Sequence, residues 1–545
     1  MEIRSVIVAC GTAALIAGSL ASHLTAQPTP RAPSLQDPQP SDGRWLVDDQ
    51  GREYFVVEVP RDRPHHWVTE ERTRVRLAHG VEMDVVSYDE RHLRVKVYRP
   101  RDEVAPAPSA EATATERARA AASYRGEALP GQGLELQAFS TGLPQRGQWR
   151  NDFDVADFNG DGHLDIVFGP PRKGSRRLPT VFLGDGAGNW KPWAGMSFPA
   201  LPFDYGDVKA VDLNGDGIRD VVLATHLRGI VALVGDGRGR FTAWSQGIEF
   251  THRQAGDSPV FSSRAISIVD WNRDGRPDVV ALGEGPSPAA RPGLGPTAGF
   301  QAGSRGTIIY LNEGNGTWTK IVNRESRNFG GSIAVADFDR DGRTDFVTGS
   351  DRWRFTALLN MSQADGTWRE TPLPFPRPDA IYRAVASADF DGDGRPDLAV
   401  GFTTREHGVY RTGIDVLLNP TGGWQRRTLG ALESTVAIQR IATGDLDGDG
   451  HPDLVGIDEN GDLWVFRGDG KGGFSREPTP ELRRGERCRG YGLHLVDLDR
   501  DGTDEIVLSL AAEASGLGPL GKSGSCPSEG ALQAWKVVRK HVVGG

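Results

Sequence analysis

The sequence predicts an all-β chain: a seven-bladed β-propeller with four-stranded blades, preceded by a small, mostly β N-terminal domain. Three observations carry this expectation. An acidic nine-residue loop recurs seven times, opening at Asp157, Asp212, Asp270, Asp337, Asp389, Asp445 and Asp497. Apolar runs flank every copy, such as Ile333 to Ala336 before a loop and Leu398 to Val400 after one. A third run then ends in a Gly-rich turn, as in Val181-Phe182-Leu183-Gly184-Asp185-Gly186, and an aromatic opens a fourth. Four strands in roughly 50 residues is the period of a propeller blade.

Composition narrows the class. Against 63 Lys and Arg stand 73 Asp and Glu, a formal net charge of −10. That balance argues against a nucleic-acid partner, whose binder should be basic. Three Cys exclude a disulfide-dense scaffold. Gly at 70 of 545 residues fits many tight turns.

Residues 1–26 read as a signal peptide. Arg4 precedes a mostly apolar stretch from Val6 to Leu20, and small residues stand at Ala21 and Ala26. The stretch is short for a membrane anchor, the alternative reading. Ile7-Val8-Ala9-Cys10 resembles a lipoprotein box, but the apolar run continues past it. The expectation is an exported protein (periplasmic, cell-surface or secreted) with no stable membrane span beyond this segment. Residues 27–43 carry five Pro and form a linker.

Residues 44–100 read as the small β domain. Trp45 to Val47 and Tyr54 to Val59 flank a hairpin signal, and Val75 to Leu77, Met83 to Val86 and Leu93 to Tyr98 add three strands. His65-His66-Trp67 is its one conspicuous cluster. Adjacent residues of a strand face opposite ways, so joint metal ligation there is awkward. Residues 101–133 are an Ala-, Pro- and Glu-rich linker, and 134–545 hold the propeller. Gly283 to Gly306 reads as a loop insertion in the third unit.

The loops carry the chemistry. Oxygen donors occupy positions 1, 3, 5 and 9. They are Asp157, Asn159, Asp161 and Asp165 in loop one, and Asp212, Asn214, Asp216 and Asp220 in loop two. Loop three has Asp270, Asn272, Asp274 and Asp278, and loop four Asp337, Asp339, Asp341 and Asp345. Loop five has Asp389, Asp391, Asp393 and Asp397, and loop six Asp445, Asp447, Asp449 and Asp453. Loop seven has Asp497, Asp499, Asp501 and Glu505. Alternating oxygens before a Gly at position 6 wrap a hard cation, and calcium fits their number and loose geometry best. Up to seven structural calcium sites follow, adding fourteen positive charges to a net −10. Asn at position 3 of loops one to three predicts weaker binding there.

An EF-hand needs a bidentate Glu at position 12. Here position 12 is Phe168, Leu223, Ala281, Thr348, Val400, Gly456 or Leu508, so the loops join strands. Position 2 is always large and apolar, from Phe158 to Leu498, and should be buried between blades. The apolar–Asp-Phe-Asn/Asp-x-Asp-Gly-x-x-Asp–apolar string, the Gly-Asp-Gly hairpin and the following aromatic resemble the FG-GAP/VCBS repeats, the calcium-binding propeller repeats of integrin α-subunits. The likeness covers roughly residues 134 to 540. It implies a scaffold for adhesion or ligand recognition, with a glycan or cell-surface protein as partner. The family also contains polysaccharide lyases, so a lyase acting on an acidic polysaccharide is the alternative.

No catalytic set stands out. Gly516 to Ser523 matches a phosphate-binding loop, but Gly524 to Pro527 cannot start the helix that loop needs. On the face opposite the acidic loops, residues just ahead of each first strand should line the axis: Arg150, Arg264, Arg383, Arg440 and Tyr491, with Arg352, Trp353, Arg354 and His407 nearby. Arginines with aromatics suit a carboxylate-bearing ligand.

Two long-range contacts are expected. Cys488 and Cys526 fall in loops that share a face and should form a disulfide. Unit seven lacks a fourth strand, and Leu134 to Leu143 should supply it, joining the two ends of the propeller.

Overall fold

The computed structural model describes residues 134–171, 178–226, 228–248, 250, 261–283, 306–323, 330–349, 357–377, 380–406, 409–434, 436–479, 482, 486–512 and 526–539, with the backbone of five strands between 46 and 98. The signal segment, both linkers, His65 to Trp67, the insertion at 284–305, Arg352 to Arg354, His407, the 516–523 motif and the Arg264 side chain lie outside the described residues.

The chain divides into two units between Ala121 and Ala122. The first holds an antiparallel five-stranded sheet in the order Leu46–Val47, Glu53–Pro60, His92–Tyr98, Glu82–Tyr88, Arg74–Arg76. The second is a seven-bladed β-propeller of four-stranded antiparallel sheets. First strands of neighbouring blades contact one another around the ring and so line its axis.

Burial follows from position in the blade. Second strands lie between two neighbouring blades, so both faces must be apolar; Asp220–Thr225 is buried at every residue. Fourth strands form the outer edge, and Phe241–Ala243 buries only its opening aromatic. Each blade-to-blade junction has its own apolar core, and each core contains one position-2 side chain. Phe158 packs with Val181 of blade one and Val221 and Phe241 of blade two. Phe338 joins blades four and five in the same way. The acidic loops are thereby anchored in the inter-blade core.

Blade seven is completed from the other end of the propeller sequence. Leu134–Ala138 pairs antiparallel with Gly530–Arg539, with Ala138 opposite Trp535 and Leu134 opposite Arg539. Ser140 extends the seam, its Oγ donating to the Ala534 carbonyl at 2.6 Å and accepting the Ala534 N–H at 2.8 Å. Beneath it, Leu498, Val507 and Leu532 of blade seven pack on Phe153, Ile166 and Phe182 of blade one. The chain then turns at Gly142, whose φ is 91° and whose Cβ, if present, would lie 2.0 Å from the Trp190 carbonyl oxygen.

Cys488 and Cys526 are disulfide-bonded across 38 residues of sequence. Closing a loop of that length restricts the unfolded chain by about 4 kcal/mol. Reduction should therefore lower the melting temperature. Identical melts with and without reductant would contradict that contribution.

Candidate functional site

The acidic loops are built by hydrogen bonds to their own backbone. In loop one, Asp157 accepts the N–H groups of Gly160 at 2.7 Å and Gly162 at 2.9 Å. Asp161 accepts the N–H of His163 at 2.8 Å. Position 6 is Gly throughout, with φ between 77° and 88°. Position 4 is left-handed as well, which the sequence reading missed. Loops three, four and seven place Arg273, Arg340 and Arg500 there at φ of 61° to 63°. Side chains enter that region at a cost of about 1–2 kcal/mol. The signal was Gly at position 4 in the other four loops: Gly160, Gly215, Gly392 and Gly448.

Position 9 has a role beyond the one read from sequence. In loop five, Asp397 is fully buried and accepts the N–H of Phe390 at 2.9 Å and of Asn419 at 2.6 Å. It thus ties the loop to the end of the third strand. The same pair of bonds recurs at Asp165, Asp220, Asp278, Asp345 and Asp453. Glu505 takes the place of Asp in loop seven and accepts the Leu498 N–H at 2.7 Å. Burial raises the Asp397 carboxyl to about 6, with Asp391 and Asp389 adding to the shift and the two N–H bonds opposing it. Asp453 is pushed to about 7 in the same way, and burial with Asp499 and Asp501 pushes Glu505 to about 7 against the Leu498 N–H and Lys536. A cation among these groups would favour their ionised forms.

The loops then divide. In loops four, five, six and seven, three carboxylates offer oxygens within 4.8 Å of one another, as Asp389, Asp391 and Asp397 do. In loops one to three, the position-3 amide instead donates to the position-5 carboxylate: Asn159 to Asp161 at 2.8 Å, Asn214 to Asp216 at 2.9 Å, Asn272 to Asp274 at 2.8 Å. Loop seven carries its own cation. Lys536 Nζ donates to Asp499 and, at 2.7 Å, to Asp501, and lies 3.8 Å from Glu505. Its neighbour Asp504 reaches loop six and accepts the Asp445 N–H at 2.8 Å. Positions 1, 3, 5 and 9 offer only oxygen donors, and Asp499 Oδ1 and Glu505 Oε1 are buried without a hydrogen-bond donor. This set fits a hard divalent cation.

The axis presents a second group. β-Bulges leave Arg264, Arg383, Gln439 and Tyr491 out of register, each six residues before the first Asp of its loop. A bulge re-aims its side chain. Arg383 bonds Glu459, and Arg489 donates to Gln439 Oε1 at 2.6 Å and lies 3.4 Å from Glu459. The guanidinium carbons of Arg150 and Arg489 lie 5.4 and 5.5 Å from the Tyr491 ring centroid. The structure thus brings Arg150, Arg383 and Tyr491 together and adds Gln439, Glu459 and Arg489, which the sequence reading did not name. Arg440 sits in the strand ladder opposite Ile457, with its Nε 4.0 Å from Asp152.

Beside Arg440 lies a charged cluster from blades one, two and seven. His494 Nε2 is 3.0 Å from Asp152, and Lys209 is 3.9 Å from Asp152 and 3.3 Å from Asp207. Burial works against the charged form of His494, but the Asp152 carboxylate outweighs it and raises His494 above its usual 6.5, with Asp154 aiding and Lys209 opposing. Burial would lift Asp152, but Lys209, His494 and Arg440 hold it well below the usual carboxylate range. Burial pushes Asp207 up to about 6 despite Lys209. A raised histidine stabilises the fold fully below 6.5 and loses that contribution as pH rises through its folded value. In excess calcium, the wild-type melting temperature should fall more steeply than that of His494→Gln as pH rises above 6.5. Parallel curves would contradict the pairing.

Comparison with known proteins agrees with this architecture. The FG-GAP-like repeat profile matches residues 157–223, 212–281, 300–348, 337–400 and 445–508. Over 215 residues the chain is 30% identical to cartilage acidic protein 1 of Mus musculus, covering 34% of this chain and 30% of that protein. Over 147 residues it is 34% identical to integrin alpha-7 of Homo sapiens, covering 24% of this chain and 12% of that protein. The chain therefore spans less than a third of the length of either relative. Among solved structures, the BP39L lectin from Burkholderia pseudomallei aligns over 75% of this chain and 98% of its own, with a TM-score of 0.44 and 13% identity. With matched repeats over more than half of its length, the chain belongs to the FG-GAP-like repeat family.

Proposed function

We propose that this protein is an exported, calcium-stabilised propeller that serves as a binding scaffold for a glycan or protein partner. The observation that carries the calcium reading is the convergence of three carboxylate oxygens within 4.8 Å in each of loops four to seven. Loops four to six would hold the ion through positions 1, 3, 5 and 9. Loops one to three are weaker, because an Asn replaces one carboxylate. Loop seven is weaker too, because Lys536 already neutralises Asp499 and Asp501. Bound calcium would neutralise the loop carboxylates and fix each loop against its inter-blade core.

The binding role draws on the likeness to an integrin chain and on the axial arginines. Export is supported by the Cys488–Cys526 disulfide, which persists in oxidising compartments. A glycan array and a panel of immobilised extracellular proteins, each probed with calcium and with chelator, test the reading. Calcium-dependent binding to one class is the expected result. An assay for unsaturated sugar products on acidic polysaccharides runs in parallel, and product formation would favour a lyase. Absence of both binding and product would overturn the scaffold reading.

A further inference from the structure

A cleft of about 600 Å³ opens where the outer edge of blade two meets blade three. It lies between the chain that leaves the fourth strand of blade two, Ala243 to Ile248, and Asn315-Gly316 of blade three. The latter pair sits in the hairpin that joins Thr307–Asn312 to Trp318–Asn323. Leu201, Ile248 and Phe250 add apolar wall beside Trp244. Among the described residues, none that lines the cleft is charged. Ala243, Gln246 and Asn315 are exposed, so the cleft is open to solvent along them. Its walls are fixed. Ser245 Oγ donates to the Ala232 carbonyl at 2.6 Å and accepts the Ala232 N–H at 2.9 Å. Gly316 lies against the Trp244 indole, since a Cβ there would sit 3.2 Å from the ring. Walls that are already ordered lower the entropy lost on binding.

The lining selects the ligand. An ion entering this cleft would give up water without meeting a counter-charge, so the site suits a neutral molecule. The main chain beside it is already committed. The Trp244 N–H donates to the Ala232 carbonyl at 2.9 Å, and the Trp244 carbonyl accepts from Trp318 Nε1 at 2.7 Å. The Gln246 N–H donates to the Gly316 carbonyl at 3.0 Å, and the Gln246 carbonyl accepts the Trp318 N–H at 2.7 Å. These positions leave no strand edge for an extended peptide to pair with. The side-chain amides are not committed in this way. That of Gln246 bonds none of the described residues. Asn315 Oδ1 accepts the Thr317 N–H at 3.0 Å, which leaves its Nδ2 without an acceptor among them. Apolar walls with a few amide groups, in a space within the roughly 300–1,000 Å³ of small-molecule sites, match a sugar's C–H patches and hydroxyls. We propose that this cleft binds a neutral saccharide, with Trp244 and Phe250 against its C–H groups and Gln246 and Asn315 bonding its hydroxyls. This rests on the scaffold reading and gives it a ligand class.

Ligand-observed NMR titrations on the full calcium-loaded chain test it. The probes are cellobiose, lactose, N,N′-diacetylchitobiose, digalacturonate and N-acetyl-leucinamide. At least one neutral disaccharide should bind saturably, with digalacturonate and the leucinamide roughly tenfold weaker. Gln246→Ala and Asn315→Asp should each weaken that disaccharide about fivefold, the loss of one hydrogen bond. The first removes a side chain that bonds none of the described residues, and the second keeps the oxygen that Thr317 uses, so both should melt as wild type does. Ala243→Trp places an indole in the cleft and should abolish binding. No saturable disaccharide binding, digalacturonate or the leucinamide binding as tightly, or binding that survives all of these substitutions would overturn the site. Those failures leave the scaffold reading standing if the array and protein panel still show a calcium-dependent partner that Gln246→Ala and Ala243→Trp do not affect.

Discussion

Deleting residues 1–145 should open the propeller, whereas deleting residues 1–133 should leave it closed. The shorter truncation ends just before Leu134–Ala138, the strand that pairs with Gly530–Arg539. The longer one removes that strand, the Ser140 bonds to Ala534 and the buried Leu143. It exposes the edge of Gly530–Arg539, including the buried Val537, and an apolar edge strand invites pairing with other chains. It also loosens the seam where Leu498 and Leu532 pack on Phe153. The expected loss is a large part of the roughly 5–15 kcal/mol that holds a typical domain together. Thermal melts and size-exclusion profiles of the two truncations check this. If both melt alike and stay monomeric, the Leu134–Ala138 strand is not what closes the ring.

Chelation should lower the melting temperature by roughly 15–20 °C. Saturating one site about a thousandfold above its dissociation constant stabilises the folded state by about 4 kcal/mol. Several such sites, divided by the unfolding entropy of a domain of about 400 residues, give that shift. Loop five separates the ion's contribution from that of the loop's own bonds. Asp391→Ala removes a position-3 oxygen while leaving the Asp397 bonds in place. It should reduce the calcium-induced shift and change the chelated protein little. Asp397→Ala leaves the Phe390 and Asn419 N–H groups without their acceptor. That should cost about 3–5 kcal/mol with or without calcium. Two variants equally stable in excess chelator would contradict the division of roles.

Much of this architecture was legible in the sequence because a propeller repeats its solution. Asp at position 1, Gly at position 6 and a large apolar residue at position 2 recur, and each has one local cause. Ring closure was legible from a deficit, since unit seven had three strands and Leu134 to Leu143 had no unit of its own. What stayed hidden depends on neighbours distant in sequence. Lys536 lies 35 residues from Asp501, and only the blade seven sheet places it over the loop. Gln439 is unremarkable by residue type. It matters because a bulge moves it out of the ladder, so that Arg440 and not Gln439 faces Ile457. The position-9 carboxylate read as a ligand because its pattern is that of a ligand. Its second task, accepting N–H groups from two places in the blade, follows only from its depth.

Counting bound calcium tests the central claim most directly. Chain stripped with chelator and dialysed to equilibrium against labelled calcium should bind several ions in at least two affinity classes, with loops four to six in the tighter class. Asp339→Ala, Asp391→Ala and Asp447→Ala together should remove that class. A stripped, folded chain that takes up no calcium above a blank, and whose melting temperature ignores the ion, would contradict the account.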